Sequence, residues 1–362
     1  MTETKIVQKE TKSNSETQKT TGKQPVITIN EYPVNNRLFR TDNDQFSSPL
    51  LDTSAQLRTD HPKKSLESLT RRAKAKFITS GLIFPLIDLH SSLEKSYWRT
   101  WHCTSEILQD GQKLTSRYCN NRWCIVCNRI RTAKMIEKYY PVIKSEIEDP
   151  YFVTLTIPNV QGQRLRQVFD NEILNFRRIS EKIRIRDKVK LKGIRKLECT
   201  YNPERGDFHP HGHILIEGEK SARLFLNEWL KHYPKANEYA QDIRPADDDS
   251  ILELLKYVSK LVDKKDYSRK DGMVEIRIHA EALDTIFRAL YRRRVYQGFG
   301  IRLNLNEDID ELQSEVYDEI LSGEDVWRWE QESSDWVSTY GELLTGCDAN
   351  KIYKVIQSFS GC

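Results

Sequence analysis

Residues 208–217 read Phe-His-Pro-His-Gly-His-Ile-Leu-Ile-Glu, and the strand this stretch forms decides the fold around it. Strand side chains alternate faces, so His211 and His213 project on one side while Gly212, Ile214 and Ile216 lie on the other. Two imidazoles at i, i+2 with an apolar opposite face are well placed to share one metal ion. His209 has the same parity, although Pro210 leaves the start of the strand open. Just upstream, Asn202–Asp207 (NPERGD) has turn composition and Gly193–Tyr201 reads as a strand. A turn centred between Glu204 and Arg205 places Glu198 opposite His211, and directly paired residues share a face. Glu198 is therefore the expected third ligand, unless the register slips by one residue and turns it away. Two imidazoles and one carboxylate with open positions suit Mg²⁺ or Mn²⁺ acting on a phosphate better than a closed structural zinc.

The flanking segments complete a pattern. Tyr151–Pro158 is β-branched, alternating and stopped by proline, which predicts a strand. Helical periodicity follows over about 164–188 and again over 221–233, then a short strand near 239–243 and a helix over 250–263. The order from Tyr151 is β-α-β-β-α-β, so the expected fold class is α+β: a ferredoxin-like antiparallel sheet followed by one further helix. On that last helix Glu253, Lys256, Tyr257 and Lys260 share one arc, opposite Ile251, Leu254, Leu255, Val258, Leu261 and Val262. Taken alone, this is any amphipathic surface helix. Beside a metal it gains chemical sense. A tyrosine hydroxyl, with a reference pKa of ~10, attacks poorly unless a metal polarises the phosphate and cations stabilise the developing charge. Glu253, one turn from Tyr257, is placed to activate a water later.

Composition bounds the rest. The chain has 362 residues, 38% apolar and 30% charged, enough for two domains of ~100–200 residues plus tails. The most apolar window, Gly81–Leu89, is short of the ~18–20 residues of a membrane span and holds Pro85 and Asp88. The N-terminus has no apolar signal core, so a soluble, cytoplasmic protein is expected. Charge is uneven: residues 305–362 carry 3 basic and 14 acidic residues, whereas residues 61–304 carry 46 basic against 31 acidic. That middle is the footprint of a polyanion partner, or a solvated surface balanced by the acidic tail. The expected divisions are a disordered arm over 1–60, a basic helical and Cys-rich module over 61–148, the sheet domain over 149–304 and an acidic region over 305–362.

Of seven cysteines, four fall in one stretch. Cys119-x4-Cys124-x2-Cys127 with Cys103 upstream offers four thiolates for a structural Zn²⁺, with His102 as a substitute ligand; four free thiols are the alternative. Arg122, Arg129 and Arg131 around the cluster suit phosphate contacts, as does Arg117. Trp123 either stacks on a base or packs in the interior. Arg292, Arg293 and Arg294 lie between aromatics, as a DNA contact or as the exposed end of a helix. Trp327, Trp329 and Trp336 indicate that part of the acidic region packs.

With these motifs in order, the chain resembles the HUH endonuclease superfamily, and more narrowly the initiator (Rep) proteins of small rolling-circle plasmids of Gram-positive type. Tyr151–Asn159 (YFVTLTIPN) resembles the first-motif strand, Phe208–Ile216 (FHPHGHILI) the metal motif and Glu253–Lys260 (ELLKYVSK) the nucleophile motif. Asn120–Arg129 (NNRWCIVCNR) resembles the upstream cysteine-rich segment. The resemblance covers roughly residues 100–300. It implies that His211 and His213 hold a divalent metal, and that Tyr257 attacks origin DNA to give a 5′-phosphotyrosine link and a 3′-OH primer. It also implies that Glu253 activates water for release. On the same helix face, Lys260 is a catalytic candidate and Lys256 a candidate DNA contact. Plasmid origin DNA, single-stranded or cruciform at the nick site, would be the main partner, with room for host helicase and polymerase and for a homodimer. Gly212 departs from the family pattern, which has a bulky apolar residue there. Two other functions are compatible: a single-strand transposase with the same metal strand, and a DNA-binding regulator that has lost catalysis.

Overall fold

A computed structural model describes residues 26–27, 62–110, 113–256, 267–270, 273–301 and 325–357. The expected N-terminal arm therefore lies outside the described residues, apart from β1 (Val26–Ile27). A long helix, α1 (Pro62–Ile87), leads to α2 (Glu94–Trp101), the hairpin β2 (Glu106–Asp110) and β3 (Lys113–Ser116), and α3 (Ile125–Glu146). Next come β4 (Pro150–Thr156), α4 (Gly162–Arg186), β5 (Gly193–Asn202), β6 (Asp207–Glu217), α5 (Glu219–His232) and β7 (Asp242–Pro245). The chain continues through α6 (Asp248–Leu255), β8 (Tyr267–Lys270), β9 (Met273–Ile278), α7 (Ala280–Leu290) and β10 (Tyr296–Phe299). It ends with β11 (Asp325–Glu330), β12 (Asp335–Val337) and β13 (Tyr353–Gln357).

The protein is α+β. Its central sheet has five antiparallel strands in the order β10-β5-β6-β4-β7. The β5–β6 turn is dictated by its residues. Asn202 Oδ1 accepts the backbone N–H groups of Glu204 and Arg205 at 3.0 and 3.2 Å, and Gly206 takes φ 64°, a left-handed position glycine adopts without strain. That turn sets Glu198 opposite His211 and Thr200 opposite His209. One face of the sheet packs Val153, Leu155, Ile214 and Ile216 against α4 and α5 through Phe176, Ile179, Phe225 and Trp229. The other face carries Glu198, His211 and His213 and meets α6.

Two local expectations, the short strand and the last helix, are corrected. Arg292, Arg293 and Arg294 lie in the turn directly after the end of α7 at Leu290, and β10 then adds a fifth strand beside β5. The short strand is Asp242–Pro245, preceded by a single 3₁₀ turn at Glu238–Ala240 that Asn237 caps. Helix α3 begins at Ile125, because Cys124 serves as its N-cap. Helix α6 runs over Asp248–Leu255, capped by the Asp247 carboxylate on Ser250 at 2.8 Å, and Lys256 leaves it with φ −61° and ψ 113°. The predicted helical positions of Tyr257 and Lys260 lie outside the described residues.

Two smaller sheets flank the central one. Strands of the acidic region complete the module's sheet in the order β12-β11-β2-β3, with Trp336 fully buried and its indole N–H donating to Thr104 O at 2.7 Å. The last strand, β13, lies parallel to β9 in the order β1-β13-β9-β8. Among the described residues, no helix is long and apolar enough to cross a membrane.

Candidate metal centres and nucleic-acid interface

On the open face of the central sheet, Glu198, His211 and His213 bring ligand atoms within 4.8 Å of one another. Glu198 Oε2 lies 3.4 Å from His211 Nε2 and 3.5 Å from His213 Nε2. Metal–ligand bonds of about 2.0–2.2 Å put neighbouring ligand atoms roughly 3–3.5 Å apart, so the three side chains fit a divalent ion. The remaining ring nitrogens are engaged. His211 Nδ1 faces the His209 carbonyl at 3.1 Å and His213 Nδ1 faces Thr154 Oγ1 at 3.3 Å. Such outer contacts fix ring orientation and leave Nε2 to the ion. Burial pushes the Glu198 carboxyl up, but Lys196 and hydrogen bonds from His211 and His213 hold it well below the usual carboxylate range. Burial also lowers the pKa of His213 against the pull of Glu198, which favours the neutral, metal-binding imidazole.

His209 is not part of this group. Its Nδ1 meets Asn159 Oδ1 at 2.8 Å and its ring stacks on His211 at 5.3 Å, so it braces the strand from outside. Gly212 sits between the ligands without being required there: a Cβ would meet Lys196 O at 3.6 Å, an ordinary contact. Glu253, at the end of α6, pairs with Lys256 at 2.6 Å. Sequence reasoning missed Lys196 and Thr154. A lysine in a β-strand looks solvent-facing, and only the pairing of Lys196 with His213 shows that it lies on the ligand face.

The second centre is closed. Cys103, Cys119, Cys124 and Cys127 come together with Sγ–Sγ separations of 3.6 Å (Cys103–Cys127, Cys119–Cys127) and 3.7 Å (Cys103–Cys124). A tetrahedron of Zn–S bonds of about 2.3 Å has edges near 3.8 Å, so the set fits zinc and is too open for disulfides. Backbone N–H groups of Cys119, Asn121 and Cys127 point at the sulfurs of Cys103, Cys119 and Cys124. Burial pushes the Cys124 and Cys127 thiols up, so a cation is needed to hold them all as thiolates. Lys76, buried and hydrogen-bonded to Trp101 O, faces all four cysteines; burial lowers its pKa and the cysteines pull against that. The exposed His102 stacks on Trp98 and is not among the four.

The arginines divide sharply. Arg131 is 1% exposed and donates to Asn128 Oδ1 and Asn120 O, so it ties the module together and presents no guanidinium to solvent. Arg122 donates to Leu290 O, joining the module to α7. Trp123 packs on Tyr97 and Phe287, the interior option. Arg293 pairs with Asp170 at 2.6 Å, whereas Arg292 and Arg294 are exposed. Arg129 lies in a groove between α1 and α3 with Arg71 and Arg72, and burial and these two neighbours push its pKa down to about 10. Arg71 and Arg72 do not stand out in the sequence, because α1 reads only as generally basic.

Fold and sites together define an α+β protein with one half-open His/Glu cluster and one closed Cys₄ cluster. Comparison with known proteins narrows the class. The family model described as "Replication protein" matches residues 112–342. A "Protein rep" of Staphylococcus aureus is 32% identical over 174 residues, covering 42% of this chain and 73% of the relative. A "Protein rep" of Bacillus sp is 32% identical over 129 residues, 34% of this chain and 39% of the relative. One from Streptococcus pneumoniae is 24% identical over 199 residues, 49% of this chain and 58% of the relative. The chain thus spans less than two thirds of the latter two. No solved structure matches. The chain belongs to this replication protein family, the plasmid rolling-circle Rep proteins of Gram-positive type that its motifs resemble.

Proposed function

We propose that the chain initiates plasmid rolling-circle replication by nicking and rejoining origin DNA. The observation that carries this is the convergence of Glu198, His211 and His213 on one sheet face, beside the end of the helix that precedes Tyr257. These three residues would hold Mg²⁺ or Mn²⁺, which when bound supplies Lewis-acid polarisation of the scissile phosphate. The Tyr257 hydroxyl attacks phosphorus, its Oη–P bond forms as the P–O3′ bond breaks, and the tyrosine proton passes through solvent to the departing O3′. The products are a 5′-phosphotyrosine and a free 3′-OH. Lys256 and Lys260 balance the phosphate charge. Glu253 takes a proton from water in the later release step.

Residues 149–304 are the nicking domain, with the strand order β5-β6-β4-β7 supporting a ferredoxin-like unit extended by β10. Residues 61–148 form the zinc module, to which 325–337 contribute strands. Arg71 and Arg129, with the exposed Arg292 and Arg294, are the phosphate contacts, whereas Arg72 is buried and bonded to the Tyr118 hydroxyl. The test is covalent trapping on a denaturing gel, with Mn²⁺ or Mg²⁺ and labelled single strands tiling the DNA around the gene. A metal-dependent adduct that vanishes in Tyr257→Phe is expected. Tight duplex binding with no adduct from any strand would replace the nuclease by a regulator.

A further inference from the structure

Lys196 stands two residues before Glu198 on β5, and its side chain is 1% exposed. A buried ammonium is costly unless its donors are met. Here Nζ lies 2.5 Å from Glu198 Oε1, 3.5 Å from the Glu253 carbonyl oxygen and 5.7 Å from the centroid of the Tyr296 ring. The two oxygens of Glu198 therefore have different tasks: Oε1 meets Lys196 and Oε2 faces His211 and His213. Tyr296 is the cross-strand partner of Lys196 on β10, and its hydroxyl donates to the Lys256 carbonyl at 2.6 Å.

Both contacts fall at the C-terminal end of α6. A helix leaves its last carbonyls without intrahelical donors, and its dipole makes that end negative. The Tyr296 phenol meets the Lys256 carbonyl closely, while Glu253 O, which already takes the backbone N–H of Lys256 at 3.3 Å, has the Lys196 ammonium as a longer second donor at 3.5 Å. The ammonium lies between the helix end and the carboxylate of the metal cluster. Lys256 adjoins Tyr257 in the chain.

We infer that Lys196 and Tyr296 are positioning residues that lock the end of α6 to the metal-binding hairpin, so that the chain enters the nucleophile segment at a fixed place relative to Glu198. The inference rests on the nicking function proposed above. Its effect falls on the rate of attack, since neither residue belongs to the ligand trio. A misplacement of about 1 Å between reacting groups costs about a hundredfold in rate. If Lys196 only neutralised Glu198, the Tyr296 hydroxyl would be irrelevant to the reaction.

The experiment uses the full chain, with Mn²⁺ binding followed by electron paramagnetic resonance and adduct formation timed on the strand trapped by wild type. Tyr296→Phe removes one hydroxyl. It should bind Mn²⁺ and DNA within about threefold of wild type and melt within a few degrees of it, yet form adduct about tenfold more slowly at saturating Mn²⁺ and DNA. Lys196→Met should be slower by about a hundredfold, and Lys196→Arg, which can still donate to both oxygens, should recover most of the loss. Wild-type rates at saturation in Tyr296→Phe would overturn the inference, as would a slowing in Lys196→Met that extra Mn²⁺ abolishes. If Lys196→Met does not fold, Tyr296→Phe decides. His213→Ala and Tyr257→Phe test the underlying function separately: normal Mn²⁺ binding in the first or a persisting adduct in the second overturns both.

Discussion

The two clusters are built by opposite strategies. Glu198, His211 and His213 come from a single hairpin whose turn fixes the register, and His213 keeps 17% of its side chain exposed. The four cysteines come from the end of α2, the exit of β3 and the start of α3, and all are buried. A local, half-open set can lose an ion and keep its shape, because the sheet holds the ligands. A closed set gathered from three separate segments needs the ion to neutralise four crowded sulfurs, even though the cysteines lie within the hydrophobic core of α1–α3. The first arrangement suits chemistry and the second suits folding.

The largest effect should come from breaking the closed set. Cys127→Ser should abolish stoichiometric zinc and unfold the module, because structural zinc contributes apparent folding energies of about 10 kcal/mol or more. Thermal melts with metal analysis check this; normal stability without zinc would show that the module needs no ion. The matching change in the open set, His211→Ala, should lower adduct formation by at least about a hundredfold while the melting temperature hardly moves. A parallel collapse of stability would erase the contrast between the two centres.

Acid sharpens the comparison through the helix layer behind the hairpin. Glu228 on α5, its carboxylate 1% exposed, meets Lys182 at 2.6 Å, Arg186 at 2.7 Å and Lys231 at 2.8 Å. Burial raises its pKa, but the three cations outweigh burial and bring it down to about 2. Since the folded pKa is depressed, this stabilisation is present above pH ~4.5 and is lost as pH falls toward 2. Glu228→Gln should cost about 2 kcal/mol at neutral pH, discounted for the exposed cations, and flatten the acid limb of the stability curve. An unchanged limb would mean that another carboxylate governs it. The smallest effect is a gain: Gly212→Ala should stabilise the hairpin by about 0.5–1 kcal/mol, with Mn²⁺ affinity intact, as denaturant melts and titration would register.

The open centre is legible in the sequence because it depends on local facts. Alternation sets the faces of His211 and His213, and the turn at Asn202–Asp207 sets the partner of His211. What the sequence hides depends on distant pairing. Nothing near Tyr296 announces that it lies beside Lys196, so β10 cannot be read from its own residues. Arg131 looks like a phosphate ligand until Asn120 and Asn128 are brought to it. The apolar arc of α6 continues past Leu255, yet Lys256 leaves the helix and Tyr296 takes up its carbonyl. The gathering of the four cysteines is expected from their spacing, but the neighbouring Lys76 is not.

The sheet β12-β11-β2-β3 closes across a wide interval, with Trp336 reaching Thr104 from 232 positions away. Such contacts form late. On the ribosome, the hairpin bearing Glu198, His211 and His213 is translated well before Trp336 emerges, whereas β2 waits with an open edge and Trp336's place beside Thr104 unfilled. Vectorial synthesis thus delivers the four cysteines first, the Glu198–His213 hairpin second and the strands that close the module's sheet last, so a prematurely terminated chain would carry both clusters without a finished sheet around the first.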